Sequence, residues 1–197
     1  MKIKFTDLYK ANKYKAKKIH QKINKGVSNL IKKSSFVGGS EVDIFEKNFA
    51  KFTNSKHCIA VGNGTDALEI AIEALNLKKG SEVIVPANTW ISTAEAVTRN
   101  NLKVVFCDIS LNNYSIDIDD LKKKISKNTS AIMIVHLYGY PANLRAIKNI
   151  IKNKKIKIVE DCAQAHGSKI NNQHVGTFGD IGTFSFFPGK NLGAYGD

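Results

Sequence analysis

Six short runs rich in apolar and β-branched residues, His57–Val61, Glu82–Pro86, Lys103–Cys107, Ser130–Val135, Lys157–Glu160 and Ile181–Phe184, alternate along this chain with stretches of helical period. The helical stretches are marked by Leu68, Ala71, Ile72 and Leu75, by Ile91, Ala94 and Val97, and by Leu144, Ile147 and Ile151. Most of the short runs are near-continuously apolar, as strands covered on both faces are. Strand and helix in strict alternation predict an α/β fold with three layers, α/β/α, around a mainly parallel sheet. Sheets of that kind bind ligands at the carboxyl ends of their strands. Upstream, Ser40 and Glu41 open a further helix in which Val42, Phe45 and Phe49 recur at helical spacing.

With 197 residues and 43% hydrophobic content, the chain can bury one substantial core. The three cysteines, Cys58, Cys107 and Cys162, are far apart and each lies beside or within an apolar run. They read as buried thiols in a reducing cytoplasm, not as a disulfide frame or a zinc site. The N-terminus has no apolar signal region, and no apolar stretch approaches the ~20 residues that cross a bilayer, so a soluble, unexported protein is expected.

Net charge is +13, but residues 1–35 hold eleven lysines against the single acid Asp7, and the rest of the chain is close to neutral. The basic excess is therefore one segment, expected to be helical, and not a property of the fold. It reads either as a solvated helical face or as a surface that attracts an anionic ligand. Only Arg99 and Arg145 are arginines, whereas readout of phosphates and bases favours the planar arginine fork.

Four places carry candidate chemistry. The first, Gly62-Asn63-Gly64-Thr65-Asp66-Ala67-Leu68, follows a strand and starts a helix. Gly64 lets the backbone approach a ligand, the helix end offers free amides and Thr65 adds a hydroxyl, which together make an anion cradle. The plainer reading is a turn capped by Thr or Asp. The segment lacks the Gly-Lys-Ser/Thr of a P-loop and the dinucleotide spacing, which argues against ATP and NAD.

Second, Pro86-Ala-Asn-Thr-Trp90 puts the chain's one tryptophan just past a strand end, where it stacks on a flat heteroaromatic ring or fills a core or interface. Third, Val159-Glu160-Asp161-Cys162-Ala163-Gln164-Ala165-His166 ends an apolar strand in two acids. Asp161 either faces a cationic ring nitrogen in a low-dielectric floor or caps the following turn. Cys162 and His166 lack a third ligand, so no metal site is read here. Fourth, in Gly182-Thr-Phe-Ser185-Phe-Phe-Pro-Gly189-Lys190-Asn191, a lysine between Gly and Asn follows an aromatic strand. Nearby apolar surface would favour the neutral amine that imine chemistry needs, against the ordinary alternative of a solvated lysine. Cradle, ring, carboxylate, glutamine, hydroxyl and lysine all fall beyond strand ends of one sheet, and together they describe a pyridoxal-phosphate (PLP) pocket.

At these residues the sequence resembles the sugar aminotransferases of the DegT family, a branch of the fold-type I PLP enzymes. The match runs from about residue 3 to the last residue through FVGGSEVDIFEKNFA, GNGTDALEIA, VIVPANTWISTAEAV, VHLYGYPAN, VEDCAQAHGS and GTFSFFPGKNLGAYGD. The resemblance implies that Lys190 binds PLP covalently and later carries the proton between substrate carbon and cofactor. It implies that Asp161 pairs with the pyridine nitrogen and keeps it protonated, that Gln164 bonds the ring hydroxyl and that Trp90 stacks on the ring. Gly64, Thr65, Asp66 and Ser185 would hold the phosphate, and Asn191 would contact the cofactor. The implied reaction takes nitrogen from an amino donor, usually L-glutamate, and places it on a keto group of a nucleotide-linked deoxysugar. A relative that performs dehydration has histidine at the lysine position, and Lys190 argues against that chemistry here.

Members of that family run to nearly twice this length. The resemblance therefore implies a division into a basic N-terminal segment, residues 1–35, and a PLP-binding large domain, residues 36–197. It also implies that the sheet is incomplete at the C-terminus, that the C-terminal small domain is absent, and that these residues alone are an inactive fragment of a homodimeric, cytoplasmic enzyme without nucleic-acid or membrane partners. Two other readings stand beside it: a PLP enzyme for a cyclitol ketone or another keto substrate, and a basic module in which residues 1–35 contact nucleic acid or an anionic membrane.

Overall fold

A computed structural model of the chain describes residues 17–196. Lysines of the basic segment before Lys17 lie outside those residues, as does Asp197. The chain divides into two compact units between Phe49 and Ala50.

In the first unit, helix α1 spans Lys17–Lys33 and helix α2, Ser40–Thr53, begins. Lys32 and Lys33 in the last turn of α1 suit the negative end of its dipole, and Glu41 and Asp43 in the first turn of α2 suit the positive end. Phe45 and Phe49, one turn apart, stack with ring centroids 5.7 Å apart.

The second unit contains α3 (Gly64–Ala74), β1 (Glu82–Pro86), α4 (Ile91–Arg99), β2 (Lys103–Cys107), α5 (Ile118–Lys124) and β3 (Thr129–Val135). A 3-10 turn, Leu137–Gly139, leads to α6 (Leu144–Ile151), β4 (Lys157–Asp161), β5 (Lys169–Ile170), β6 (Gln173–His174) and β7 (Ile181–Thr183). Five strands pair in the order β2-β1-β3-β4-β7, and every pair is parallel. All carboxyl ends therefore open on one edge of the sheet.

Period-two alternation explains how this sheet is covered. Val83, Val85, Ala131, Met133 and Val159 share one buried cluster with Leu68, Ala71 and Ile72 of α3 and Ala94 and Val97 of α4. Their strand neighbours Ile84, Ile132, Ile134 and Ile158 share the opposite cluster with Leu121 of α5 and Leu144, Ile147 and Ile151 of α6. Each Val, Leu, Ile or Met side chain among them contributes about 1.5–3 kcal/mol on leaving water, so the two clusters fix which way every residue at the strand ends points. Residues 159 and 161 face α3 and α4, and residues 158 and 160 face the other layer.

Four details depart from the sequence reading. No strand forms at His57–Val61. A β-branched run becomes a strand only when another strand accepts its ladder, and none of the described strands pairs with these residues; Ile59 is 79% exposed. Cys58 in that segment is half-buried for the same reason, whereas Cys107 and Cys162 are fully buried thiols. The edge strand β2 leaves Phe106 exposed, so its cover is incomplete on that face, although Val104 packs there and Val105 and Cys107 pack on the other. The two-stranded β5–β6 ribbon was not legible as strands, because each has two residues; Asn171 and Asn172 turn it with φ of 47° and 65°.

Candidate functional site

The N-terminus of α3 is built by Asn63, not by Thr65 or Asp66. Asn63 is extended, and its side-chain oxygen accepts the Asp66 N–H at 2.9 Å. The Asp66 amide is thus occupied by the cap. The N–H groups of Gly64 and Thr65 have no acceptor among the described residues, which leaves them to an anion at the helix end. Gly64 is required by proximity: a Cβ there would stand 2.7 Å from the Ser185 Cβ and 3.0 Å from its Oγ. That close approach brings the helix end and the residue beyond β7 to one spot. The Thr65 hydroxyl is held there by Ser92 Oγ at 2.8 Å.

Asp161 closes β4 and is 5% exposed. Its Oδ1 accepts the Ala163 N–H at 3.1 Å and its Oδ2 accepts the Thr93 hydroxyl at 3.1 Å. Thr89 Oγ1 lies 3.1 Å from Thr93 Oγ1 and extends the line of hydroxyls. Burial raises the Asp161 pKa, and the Ala163 N–H, the Thr93 hydroxyl and the positive charge of Lys190 oppose that rise without cancelling it. Lys190 is therefore near enough for its ammonium to act on Asp161. Its loop is tied by the Lys190 N–H to Phe187 O at 2.8 Å and by the Gly193 N–H to Lys190 O at 3.1 Å. Lys190 as a whole residue is half-buried.

Around this pair, Ser185 is buried and its Oγ accepts the Phe187 N–H at 3.4 Å. Gln164 Oε1 accepts the Tyr138 N–H at 2.7 Å, so the glutamine is braced by the turn after β3. Trp90 stands at the N-cap of α4 and is 75% exposed, a flat apolar surface presented to solvent and not to the core. Asn191 is exposed and its side chain acts on His166, whose pKa burial lowers. The His166 ring packs against Phe184 and Phe186 at 5.4 and 5.1 Å.

Ser92, Thr93 and His136 were not singled out in the sequence. Ser92 and Thr93 are buried hydroxyls on the core face of α4, where an apolar residue is the usual choice, and that mismatch was the available signal. His136, Glu160 and Cys162 place ligand atoms within 4.8 Å of one another. Both Glu160 oxygens are taken by backbone N–H groups and by His136, so the cluster is a hydrogen-bonded brace and not an open metal site.

The model of the DegT/DnrJ/EryC1/StrS aminotransferase family matches residues 17–197. A dTDP-3-amino-3,6-dideoxy-alpha-D-galactopyranose transaminase of Aneurinibacillus thermoaerophilus is 43% identical over 93% of this chain and 50% of its own length. The crystal structure of a family aminotransferase from Brucella abortus superposes with a TM-score of 0.91 at 32% identity, over 100% of this chain and 53% of that one. An E. coli GDP-4-keto-6-deoxy-D-mannose-3-dehydratase solved with bound hydrated PLP gives a TM-score of 0.80 at 38% identity, over 83% and 44%. The chain thus spans about half the length of the relatives it matches.

Proposed function

The chain belongs to the DegT/DnrJ/EryC1/StrS aminotransferase family, and on that footing we propose that it serves PLP-dependent transfer of an amino group from L-glutamate to a keto carbon of a nucleotide-linked deoxysugar, in amino-sugar synthesis. The activity proposed is that of a whole protein of this family, to which these residues contribute the Asp161 and Lys190 side of the site. Transaminases of dTDP- and UDP-linked sugars among the relatives support the substrate class.

The observation that carries the reading is Asp161. A carboxylate this buried, with two hydrogen bonds and one nearby ammonium, stays under-compensated. A protonated ring nitrogen is the kind of partner that completes it. The donor set around it fits the rest of PLP: two unclaimed amides at the start of α3 with the Thr65 and Ser185 hydroxyls for a phosphate, the flat face of Trp90 for a ring, and the Lys190 amine for an aldehyde. When bound, PLP supplies an electron sink for the carbanion formed as the amino group is exchanged.

The residues then divide the work. Lys190 Nζ would hold the cofactor and, once displaced by the incoming amine, would take and return the proton at the reacting carbon. Asp161 keeps the ring nitrogen protonated, and Thr93 fixes which carboxylate oxygen faces it. Gln164 and Asn191 bind the ring's polar edge, and Asp66 orders the α3 terminus. We extend the reading to a cytoplasmic homodimer with residues 36–197 as the cofactor domain and residues 1–35 as a separate basic segment. The buried thiols of Cys107 and Cys162 and the exposed Trp90, Tyr138 and Tyr140 support it. No helix among the described residues is long and apolar enough to cross a membrane.

The test is the visible spectrum of the folded protein titrated with PLP. The wild type is expected to gain an absorption band that Lys190→Ala lacks at equal far-UV circular dichroism. Identical spectra from the two proteins would overturn the proposal.

A further inference from the structure

On the side of β4 away from Asp161 lies a buried polar unit that the proposed chemistry does not touch. We propose that Glu160 and His136 are positioning residues, a clamp that fixes the carboxyl end of β4 so that Asp161 presents its carboxylate to Thr93 and to the ring nitrogen of the cofactor. The inference rests on the PLP reading of the site.

The geometry begins with alternation. Glu160 points into the layer of Ile158, Ile134 and α6, opposite to Asp161. Its side chain is fully buried yet accepts four hydrogen bonds: His136 Nε2–H at 3.0 Å, Gly176 N–H at 2.9 Å, Phe178 N–H at 2.7 Å and Gly179 N–H at 2.6 Å. A carboxylate so supplied is held in its ionised form. His136 is fully buried too, and its Nδ1 accepts the Ala142 N–H at 3.1 Å. Both ring nitrogens are engaged, so the ring's orientation and its Nε2–H tautomer are set by its partners.

Glu160 gathers His136, which borders Asp161 directly, and residues 176–179, whose Gly176 packs on Gly182 next to Thr183, the other neighbour of Asp161. The His136 N–H donates to Asp161 O at 3.0 Å, and the Cys162 N–H donates to Thr183 O at 2.8 Å. Glu160 O accepts the Thr183 hydroxyl at 3.2 Å. Both peptide planes flanking Asp161 are thereby pinned, one on each side of its Cα. With its backbone angles fixed, the side chain has few staggered positions left. The one observed is held by Thr93 and by the Ala163 N–H. The turn that starts at His136 also delivers the Tyr138 N–H to Gln164, so one clamp orients two cofactor-facing side chains. Such outer supports set the precision of a site more than the reacting groups do.

The test uses the full chain and two variants, His136→Gln and Glu160→Gln. Without PLP, carbon-13 NMR of the aspartate carboxyls reads the titration midpoint of Asp161, with exposed Asp119 as the internal control. A shift of about half a pH unit or more at Asp161 alone is expected in each folded variant. An unmoved midpoint overturns the inference, whether or not PLP binds. With PLP, each variant is expected to bind about tenfold more weakly, while an analogue lacking the ring nitrogen binds variant and wild type alike. Equal weakening of both compounds means a merely structural role and overturns it. Should both variants fail to fold, nitrogen-15 histidine spectra of the wild type decide: Nε2–H with an unprotonated Nδ1 at His136 is required, and the opposite tautomer refutes the clamp. Failure of the wild type to bind PLP sinks the proposed function, and the Asp161 midpoint still judges this inference.

Discussion

Two neighbouring carboxyl groups, Glu160 and Asp161, are both buried and are driven in opposite directions. At Glu160, burial works to raise the pKa, but the hydrogen bonds of His136, Gly176 and Gly179 and the His136 ring together hold it below the ordinary value. At Asp161, burial wins and the pKa stands above its ordinary value. The linkage signs follow. Glu160 stabilises the fold above its unfolded pKa, and that contribution is lost as the pH falls through its lowered folded value. Asp161 does the reverse: its folded, protonated form is the comfortable one, and stability is lost as the pH rises through its raised folded value. Asp161→Asn is therefore expected to raise the thermal midpoint at pH 7 by roughly 2–4 °C, equivalent to about 1 kcal/mol, while weakening PLP binding. Its advantage should vanish below about pH 4, where Asp161 is protonated anyway. Glu160→Gln is expected to cost about 3 kcal/mol at pH 7, since it leaves buried donors without an acceptor. Thermal unfolding of the protein without PLP at pH 3.5 and pH 7 checks both. A lowered midpoint for Asp161→Asn at pH 7 would show that its carboxylate is a structural asset and not a charge held ready for a partner.

Single elements carry the next set of consequences. Helix α3 starts where Asn63 caps it, so Asn63→Ala should cost about 1 kcal/mol in urea unfolding. It should also loosen PLP, because the freed Asp66 N–H no longer anchors the turn. Gly64→Ala instead forces a Cβ onto Ser185; a cost of about 1–3 kcal/mol is expected, and an unchanged urea midpoint would mean that the helix start is not packed as described. These elements also separate what the sequence disclosed from what it hid. Paired periods of two and 3.6 were enough to read β1, β3, β4, α3, α4 and α6, because both faces of the sheet are covered and each face demands an apolar residue. Asp161, Lys190 and Ser185 were legible as residues of unusual type at or beyond strand ends, and Gly64 as the start of a helix. The Thr93 hydroxyl and the His136–Glu160 pair were not, since each bond joins residues 68 and 24 positions apart, and spacing of that kind leaves no local pattern. The run at His57–Val61 misled for the opposite reason: its composition suits a strand, but pairing is a property of neighbours in space.

At the level of the whole molecule, the two key side chains sit on backbones of unequal rigidity. Asp161 belongs to β4, which is paired on both sides, by β3 and by β7. Lys190 and Ser185 follow β7, a three-residue strand at the end of the sheet order, bonded through β4 alone. Amides with two covered sides open only with much of the fold, whereas edge amides open locally at lower free energy. Hydrogen exchange should therefore be slowest in β1, β3 and β4 and faster in β2 and β7. A ligand that bridges Asp161 on the central strand to the Lys190 loop beyond the edge strand stabilises the closed form of the less supported partner by mass action. Added PLP is thus expected to slow exchange at residues 181–194, by about tenfold for each 1.4 kcal/mol of local stabilisation, and to leave β1 and β3 nearly unchanged. Uniform slowing across the sheet would mean instead that Asp161 and Lys190 move as one rigid body, and that the ligand stabilises the fold as a whole without drawing its edge onto its centre.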